Sequence, residues 1–207
     1  MRRTIRTAAA LLLAALAAAA PADDKTPAKP KAVPEGTPLE LHVTGKTTRY
    51  TLDTGLVAPE EYKKTLDAAV KAGGKLPPTP EVDLTVEIKN TSDKPLNVWV
   101  KGDPVVLELV LKGGGAVNAE PRRAFTQQFN TPEAVEIPPG KAHAMPLKNL
   151  DGGFRRQSKF AYWGAKGEYE LTATLKTGVS PAPKGAPEAD GFGVVTLTSA
   201  PFKLTVE

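Results

Sequence analysis

The chain has 207 residues, of which 41% are hydrophobic, 24% charged and 6% aromatic, with 20 prolines and 18 glycines, which describes one ordinary globular domain carrying extra loop material. It has no cysteine, which excludes a disulfide framework, thiolate zinc sites, iron–sulfur clusters and a cysteine nucleophile. Its two histidines, His42 and His143, leave little for a histidine-rich metal site or a charge-relay enzyme.

Residues 1–22 read as a secretory signal peptide. Arg2, Arg3 and Arg6 form a basic start, residues 8–20 an apolar run with Leu11, Leu12, Leu13 and Leu16, and Ala20-Pro21-Ala22 an A-x-A exit. As a helix the run would span about 20 Å at roughly 1.5 Å per residue, short of a bilayer core of about 30 Å, so no membrane span is expected after its removal. Three of the 27 basic residues and none of the 23 acidic ones lie in this segment, so the remainder is close to neutral and carries no case for nucleic acid.

Residues 23–38 hold four prolines and one branched apolar residue, Val33, too little to offset the entropy of ordering, and predict a disordered Pro/Lys-rich leader. Residues 39–43 alternate apolar and polar, Gly45-Lys46 supplies a turn, and residues 47–52 are rich in β-branched and aromatic side chains, which predicts an N-terminal hairpin. One short helix is expected from Pro59 through Tyr62, Leu66, Ala69 and Val70 to Gly73-Gly74. Proline at a first helical position and the acids Glu60 and Glu61 in the first turn suit the helix dipole. Residues 76–80 are too rich in proline for a regular element and form an extended connector.

From Val82 the apolar period becomes two: Val82, Leu84, Val86 and Ile88 alternate with polar residues, the clearest strand of the chain. Asn90-Thr91-Ser92 opens a turn, and the next strand carries Trp99. Residues 105–111 run into Gly113-Gly114-Gly115, for which flexibility is a sufficient reading. Shorter candidates at 124–130 and 134–137 precede the Pro138-Pro139-Gly140-Lys141 turn and a strand at 142–147. Residues 160–163 and 168–176 predict a strand pair across the turn at 164–167. A Pro/Ala/Gly loop spans 177–191, and strands at 194–198 and 202–206 complete the set. Eight or more short strands separated by turns predict a mainly β, antiparallel sandwich, with 39–79 as a hairpin-plus-helix extension and 80–207 as the core.

Three stretches carry a resemblance: LTVEIKNTSDKPLNVWV (84–100), IPPGKAHAMPL (137–147) and YWGAKGEYELTATL (162–175). Together they resemble immunoglobulin-like β-sandwich modules of exported bacterial proteins, in which a strand ends in an N-T-S turn, a P-G-K turn opens a later strand and a G-E-Y segment begins one of the last core strands. The chain is similar to a group of uncharacterised secreted proteins of planctomycete-type bacteria and, more distantly, to the intracellular proteinase inhibitor domain family. The resemblance covers about residues 80–207 and implies a fold; it carries over no binding residue.

Leu52-Asp53-Thr54-Gly55 contains the D-T-G tripeptide of aspartic proteases, whose chemistry needs two carboxylates sharing a proton. A single copy would have to dimerise, no second such tripeptide exists, and the residues read as a strand-ending turn, since Asp and Gly both suit turn geometry. Arg155, Arg156 and Lys159, bracketed by Phe154, Phe160, Tyr162 and Trp163, are the candidate ligand-binding cluster, since guanidinium forks bind carboxylates and phosphates bidentately. Arg122-Arg123 is a lesser one. Trp99 and Trp163 are each either a platform for a sugar ring or a core residue. No catalytic residue, metal ligand or cofactor is called for. Asn90-Thr91-Ser92 matches a glycosylation sequon but reads as a turn.

These readings give the expectation of an exported, non-enzymatic protein of the periplasm or cell surface that binds or scaffolds an envelope protein or polysaccharide through loops at 101–105, 113–123 and 152–159. The alternatives are a protease inhibitor acting through the 177–191 loop and a dimeric aspartic protease acting through Asp53.

Overall fold

The computed structural model describes residues 28–54, 57–120, 129–154 and 157–207, with the side chains of Pro59, Phe154 and Gln157 outside that description. The expected signal segment, the first part of the expected leader, Arg122-Arg123, Arg155 and Arg156 lie outside the described residues.

In chain order the elements are β1 (Lys31–Val33), β2 (Leu39–Gly45), β3 (Arg49–Tyr50), α1 (Pro59–Ala72), β4 (Glu81–Asn90), β5 (Leu96–Lys101), β6 (Val106–Lys112), β7 (Ala116–Ala119), β8 (Glu133–Ile137), β9 (Ala142–Asn149), β10 (Asp151–Phe154), β11 (Gln157–Trp163), β12 (Gly167–Ser180), β13 (Glu188–Ala189), β14 (Phe192–Thr198) and β15 (Phe202–Val206). Over the described residues the protein is mainly β, with antiparallel sheets and one helix. A nine-stranded sheet is organised on β12, and two three-stranded sheets run β2-β4-β9 and β10-β11-β7.

β12 is the spine because both of its edges change partner along its length. On one edge residues 167–171 pair with β15 and 174–179 with β14. On the other, residues 170–176 pair with β6 and 179–180 with β5. Between the pairs Leu171↔Phe202 and Thr174↔Thr198, two residues of β12 oppose three of the partner, so a bulge joins β14 to β15. Pro201, which has no N–H to offer a ladder, sits in that bulge.

The period-two pattern of β4 holds: Val82, Leu84, Val86 and Ile88 are buried and join Leu39, Leu41 and Leu147 of the flanking strands in one cluster. The same cluster contains Leu171, Ala173 and Leu175 of β12, Val195 and Leu197 of β14, and Leu204 and Val206 of β15. The β2-β4-β9 sheet therefore shares its apolar face with the large sheet. A second, smaller cluster of Leu66, Val117, Ala119, Phe160 and Tyr162 lies between α1 and the β10-β11-β7 sheet. Alternation along β11 produces the division, sending Ala161 and Trp163 to the main cluster and Phe160 and Tyr162 to the helix side. The Asn118 side chain ties that sheet to β6, accepting from Leu111 N–H at 2.9 Å and donating to its carbonyl at 2.8 Å.

Helix α1 begins and ends as its residues require. Ala58 provides no side-chain cap, Glu60 and Glu61 occupy the first turn, and Gly73 closes the helix at φ 63°, where a Cβ would be strained.

Several expectations are corrected. Residues 39–52 do not form a hairpin: β2 pairs with β4, and only Arg49–Tyr50 of the second arm is strand, lying parallel to β15. The alternation of β2 finds a longer complement in β4, where Leu41 lies opposite Ile88. Since Leu39 and Leu41 belong to the main cluster, residues 39–45 are part of the core and not an extension of it. Part of the leader expected to be disordered over 23–38 is strand: Lys31–Val33 pairs with the edge of β14. β11 and β12 are not a pair, since the 164–166 connection passes from one sheet to another. The loop expected over 177–191 is mostly strand at both ends, leaving 181–187 between β12 and β13. Gly113 and Gly115 serve close approach, while Gly114 between them faces open space: a Cβ at Gly113 would meet Glu168 O at 2.7 Å, and one at Gly115 would meet Ala165 N at 2.7 Å.

Candidate functional site

A cleft of about 560 Å³ opens where β3, the start of α1, the proline connector and the end of β11 converge. Its first wall is the stretch after β3. Thr48 O accepts from Thr205 N–H at 2.7 Å, Tyr50 O accepts from Glu207 N–H at 2.9 Å, and Leu52 N–H donates to Glu207 O at 2.9 Å. Two strand residues are thus held against β15 by backbone bonds on both sides. The stretch continues to Asp53 and Thr54, whose hydroxyl donates to Val57 O at 2.5 Å.

The second wall is the connector. Prolines leave it without N–H donors at 77, 78 and 80, and two of its carbonyls are anchored: Pro77 O accepts the Tyr162 hydroxyl at 2.8 Å and Pro80 O accepts Leu150 N–H at 3.2 Å. Tyr62, on the first turns of α1, closes a third side, and Glu81 stands at the mouth of β4. At the base Trp163 stacks on Tyr50 with centroids 5.3 Å apart and lies 6.5 Å from Tyr169. Half of the chain's four tyrosines and two tryptophans therefore line one cleft in a chain that is 6% aromatic.

Charge in the lining has one sign. Asp53 and Glu81 are acidic, and no lysine, arginine or histidine is among the described lining residues. The Tyr62 phenol is pushed above its ordinary range by burial and then by the charge of Asp53. Burial likewise pushes Tyr50 up, with the Asp83 carboxylate adding to it and the Asp83 backbone hydrogen bond opposing it. Asp83 itself is held low by hydrogen bonding and charge from Lys46, with Lys148 adding to the effect, at 3.1 and 3.5 Å.

The residues singled out from the sequence do not form one site. Lys159 pairs with Glu120, whose hydrogen bond raises the lysine's pKa. Trp163 lies on the same face of β11 but four residues away, about 13 Å at roughly 3.3 Å per residue. With 4% of its surface exposed it is a core residue whose edge reaches the cleft, and not an open platform. Arg155 and Arg156 belong to the undescribed residues. Trp99 is also 4% exposed, on the face of its strand opposite Val98 and outside the main cluster, stacked on Phe192 at 4.5 Å. The histidines are half-buried, and His42 lies 3.0 Å from Glu40.

The proposed display loop at 101–105 is tied down: Asp103 is buried, its N–H donates to Asn130 O at 2.8 Å, and its carboxylate accepts Asn130 N–H at 2.9 Å. Asn90 of the sequon is fully buried, and its amide group bonds to Lys94 O and Ile137 O. Among the described residues no group of three or more acids and histidines could hold a metal ion, and no helix is long and apolar enough to cross a membrane.

Sequence reading missed Tyr50, Tyr62, Glu81 and the connector as a unit. The one available signal was that Tyr50 and Tyr62 flank the D-T-G turn in a chain of few aromatics. Compared with protein-family models, curated proteins and solved structures, the chain matches none.

Proposed function

We propose that the chain is an exported, non-enzymatic binding or scaffolding protein of the bacterial cell envelope, built as an immunoglobulin-like β-sandwich, and that its partner site is the aromatic cleft and not the loops. The basic, apolar and A-x-A zones of residues 1–22 support export. A single apolar cluster drawn from the β2-β4-β9 sheet and the large sheet supports the two-layer reading. The observation that carries the binding role is the cleft itself. Its walls come from four separated segments, each fixed by backbone hydrogen bonds or core packing, which is how a preformed recognition site is built.

The test uses protein processed by its host. Sequencing its N-terminus should find Asp23 first, and the wild type should co-sediment with isolated envelope while a Tyr62→Ala variant of unchanged circular dichroism stays in solution. Equal sedimentation of both, or of neither, overturns the reading.

One observation favours protease inhibition as a second reading. Residues 181–187 form a largely exposed loop that is nonetheless braced, with Ala186 against the main cluster and Pro187 O accepting Val194 N–H at 2.7 Å. Inhibition of a protease panel that disappears when 182–186 are replaced by glycine and serine would establish it.

A further inference from the structure

We propose that the open edge of β9 is a self-association surface, on which a second copy of this chain lays its own β9 antiparallel and joins two β2-β4-β9 sheets into one of six strands. The surface lies apart from the cleft and does not depend on the role assigned to it.

β9 pairs with β4 alone, so among the described residues one of its edges has no strand beside it. Two observations say which backbone groups point that way. Asn90 N–H donates to Lys141 O at 2.9 Å, so in the register Ile88↔His143 and Val86↔Met145 the N–H and C=O of residues 143, 145 and 147 turn to β4, and those of 142, 144 and 146 turn outward. Pro146, which has no N–H, falls in the outward set, where the ladder with β4 loses nothing. Ala142, Ala144 and Pro146 are exposed, as an open edge requires, and His143 and Met145 are half-buried.

Edge strands are normally kept from pairing by charge. Strands on the rim of the large sheet carry it: Lys31 on β1, Arg49 on β3, Glu133 and Glu136 on β8. From Ala142 to Leu147, β9 has no lysine, arginine or carboxylate.

A second copy fits this edge because the strand is complementary to itself about Ala144. With the two Ala144 residues facing, each donates its N–H to the other's carbonyl, and each Ala142 N–H donates to Pro146 O of the second copy, which uses every outward donor between 142 and 147. The donor that Pro146 lacks leaves only Ala142 O unpaired, at the end of the strand where water reaches it. His143 then lies beside Met145 of the second copy, covering a side chain that packs on the main cluster but is not closed over. Lys141 and Lys148 face Leu147 and Gly140 of the second copy, so no like charges stand opposite each other across the pair. The two-fold pairing consumes both open edges and stops at two copies. So short a contact falls below the standard interface of about 1,600 Å², and the dimer is weak and reversible.

Sedimentation velocity on the processed protein, from about 10 µM to about 1 mM, tests this together with hydrogen exchange. Monomer should pass to dimer across that range, and the Ala142 and Ala144 N–H groups should gain protection as it does. Ala144→Lys, at an exposed position, sets two like charges on the two-fold axis and should weaken association at least about tenfold with thermal melting unchanged. Ala144→Cys creates a chain with a single cysteine, whose two copies the pairing brings to a Cα separation of about 5.5 Å, within disulfide range. Mild oxidation should cross-link it, and should leave Ala68→Cys, on the exposed side of α1, monomeric. A wild type that stays monomeric throughout, a dimer that Ala144→Lys leaves as strong, growth beyond two copies, or cross-linking at Ala68 as fast as at Ala144 overturns the proposal.

Discussion

Gly178 of β12 and Trp99 of β5 occupy what would otherwise be one space: a Cβ on Gly178 would overlap the six-membered ring of the indole, and even Cδ2 would lie only 2.7 Å from it. Thr177, one residue earlier, donates its hydroxyl to Trp99 O at 2.6 Å, so neighbouring residues of β12 hold both the ring and the backbone of Trp99. The glycine lets an aromatic ring cover the outer face of the sheet, where Phe192 completes the stack. Gly178→Ala should therefore cost about 1–3 kcal/mol through overpacking. Urea unfolding should show a lower midpoint, with tryptophan emission of the folded state shifted to the red. An unchanged midpoint would show that the ring moves aside freely.

That relationship also marks how far the sequence could be read. Alternation at 82–88 located β4 and its inward face, and Pro59, Glu60, Glu61 and Gly73 located α1, because those signals are local. The face of Trp99 was undecidable from Val98 and Val100 alone, since its cover, Gly178 and Phe192, lies about eighty residues or more along the chain. β1 was invisible for the opposite reason. Lys31–Val33 has almost no strand character of its own and takes it from the open edge of β14. The cleft was illegible as a unit because Tyr50, Tyr62, Pro77 and Trp163 meet only through the β3–β15 pairing and the Tyr162–Pro77 hydrogen bond.

Ser199 fills the bulge between β14 and β15. Its hydroxyl accepts Ala173 N–H at 3.0 Å and its own N–H donates to Ala173 O at 2.9 Å, satisfying both backbone groups of a fully buried residue. Ser199→Ala leaves the Ala173 N–H without that acceptor, at a cost of about 1–3 kcal/mol. Hydrogen exchange should speed up at Ala173 more than at its neighbours on β12. Uniform protection matching wild type would mean that another acceptor replaces the hydroxyl.

Asn90 joins two of the motifs that carried the family resemblance. From the N-T-S turn its Nδ2 donates to Lys94 O at 2.7 Å and to Ile137 O, before the P-G-K turn, at 2.8 Å, while Oδ1 accepts Ser92 N–H at 2.8 Å and its hydroxyl at 2.7 Å. Asn90→Ala should cost about 1–3 kcal/mol, since the buried Ile137 carbonyl loses its donor, while Lys94 O, on an exposed residue, keeps the Ser92 hydroxyl within reach. Asn90→Asp should be at least as damaging at neutral pH, because a carboxylate donates nothing to those carbonyls. A carboxyl buried there has its pKa raised, so this variant should regain stability as the pH falls and the group takes up a proton. A pH-independent defect in thermal melts would argue against this account.

Tyr50, Tyr62 and Tyr169 all have phenols raised above the ordinary value of 10.0, burial being the largest cause in each. A phenol that holds its proton more tightly when folded leaves stability intact below the unfolded value, and stability is lost as the pH rises through the folded one, because the unfolded chain releases the proton first. Ultraviolet titration of tyrosinate should accordingly show phenols ionising late and together with unfolding, while urea midpoints hold steady up to about pH 10 and then fall. Asp53→Asn removes one of the two causes at Tyr62 and should move a single phenol back toward the ordinary range, leaving Tyr50 and Tyr169 in place.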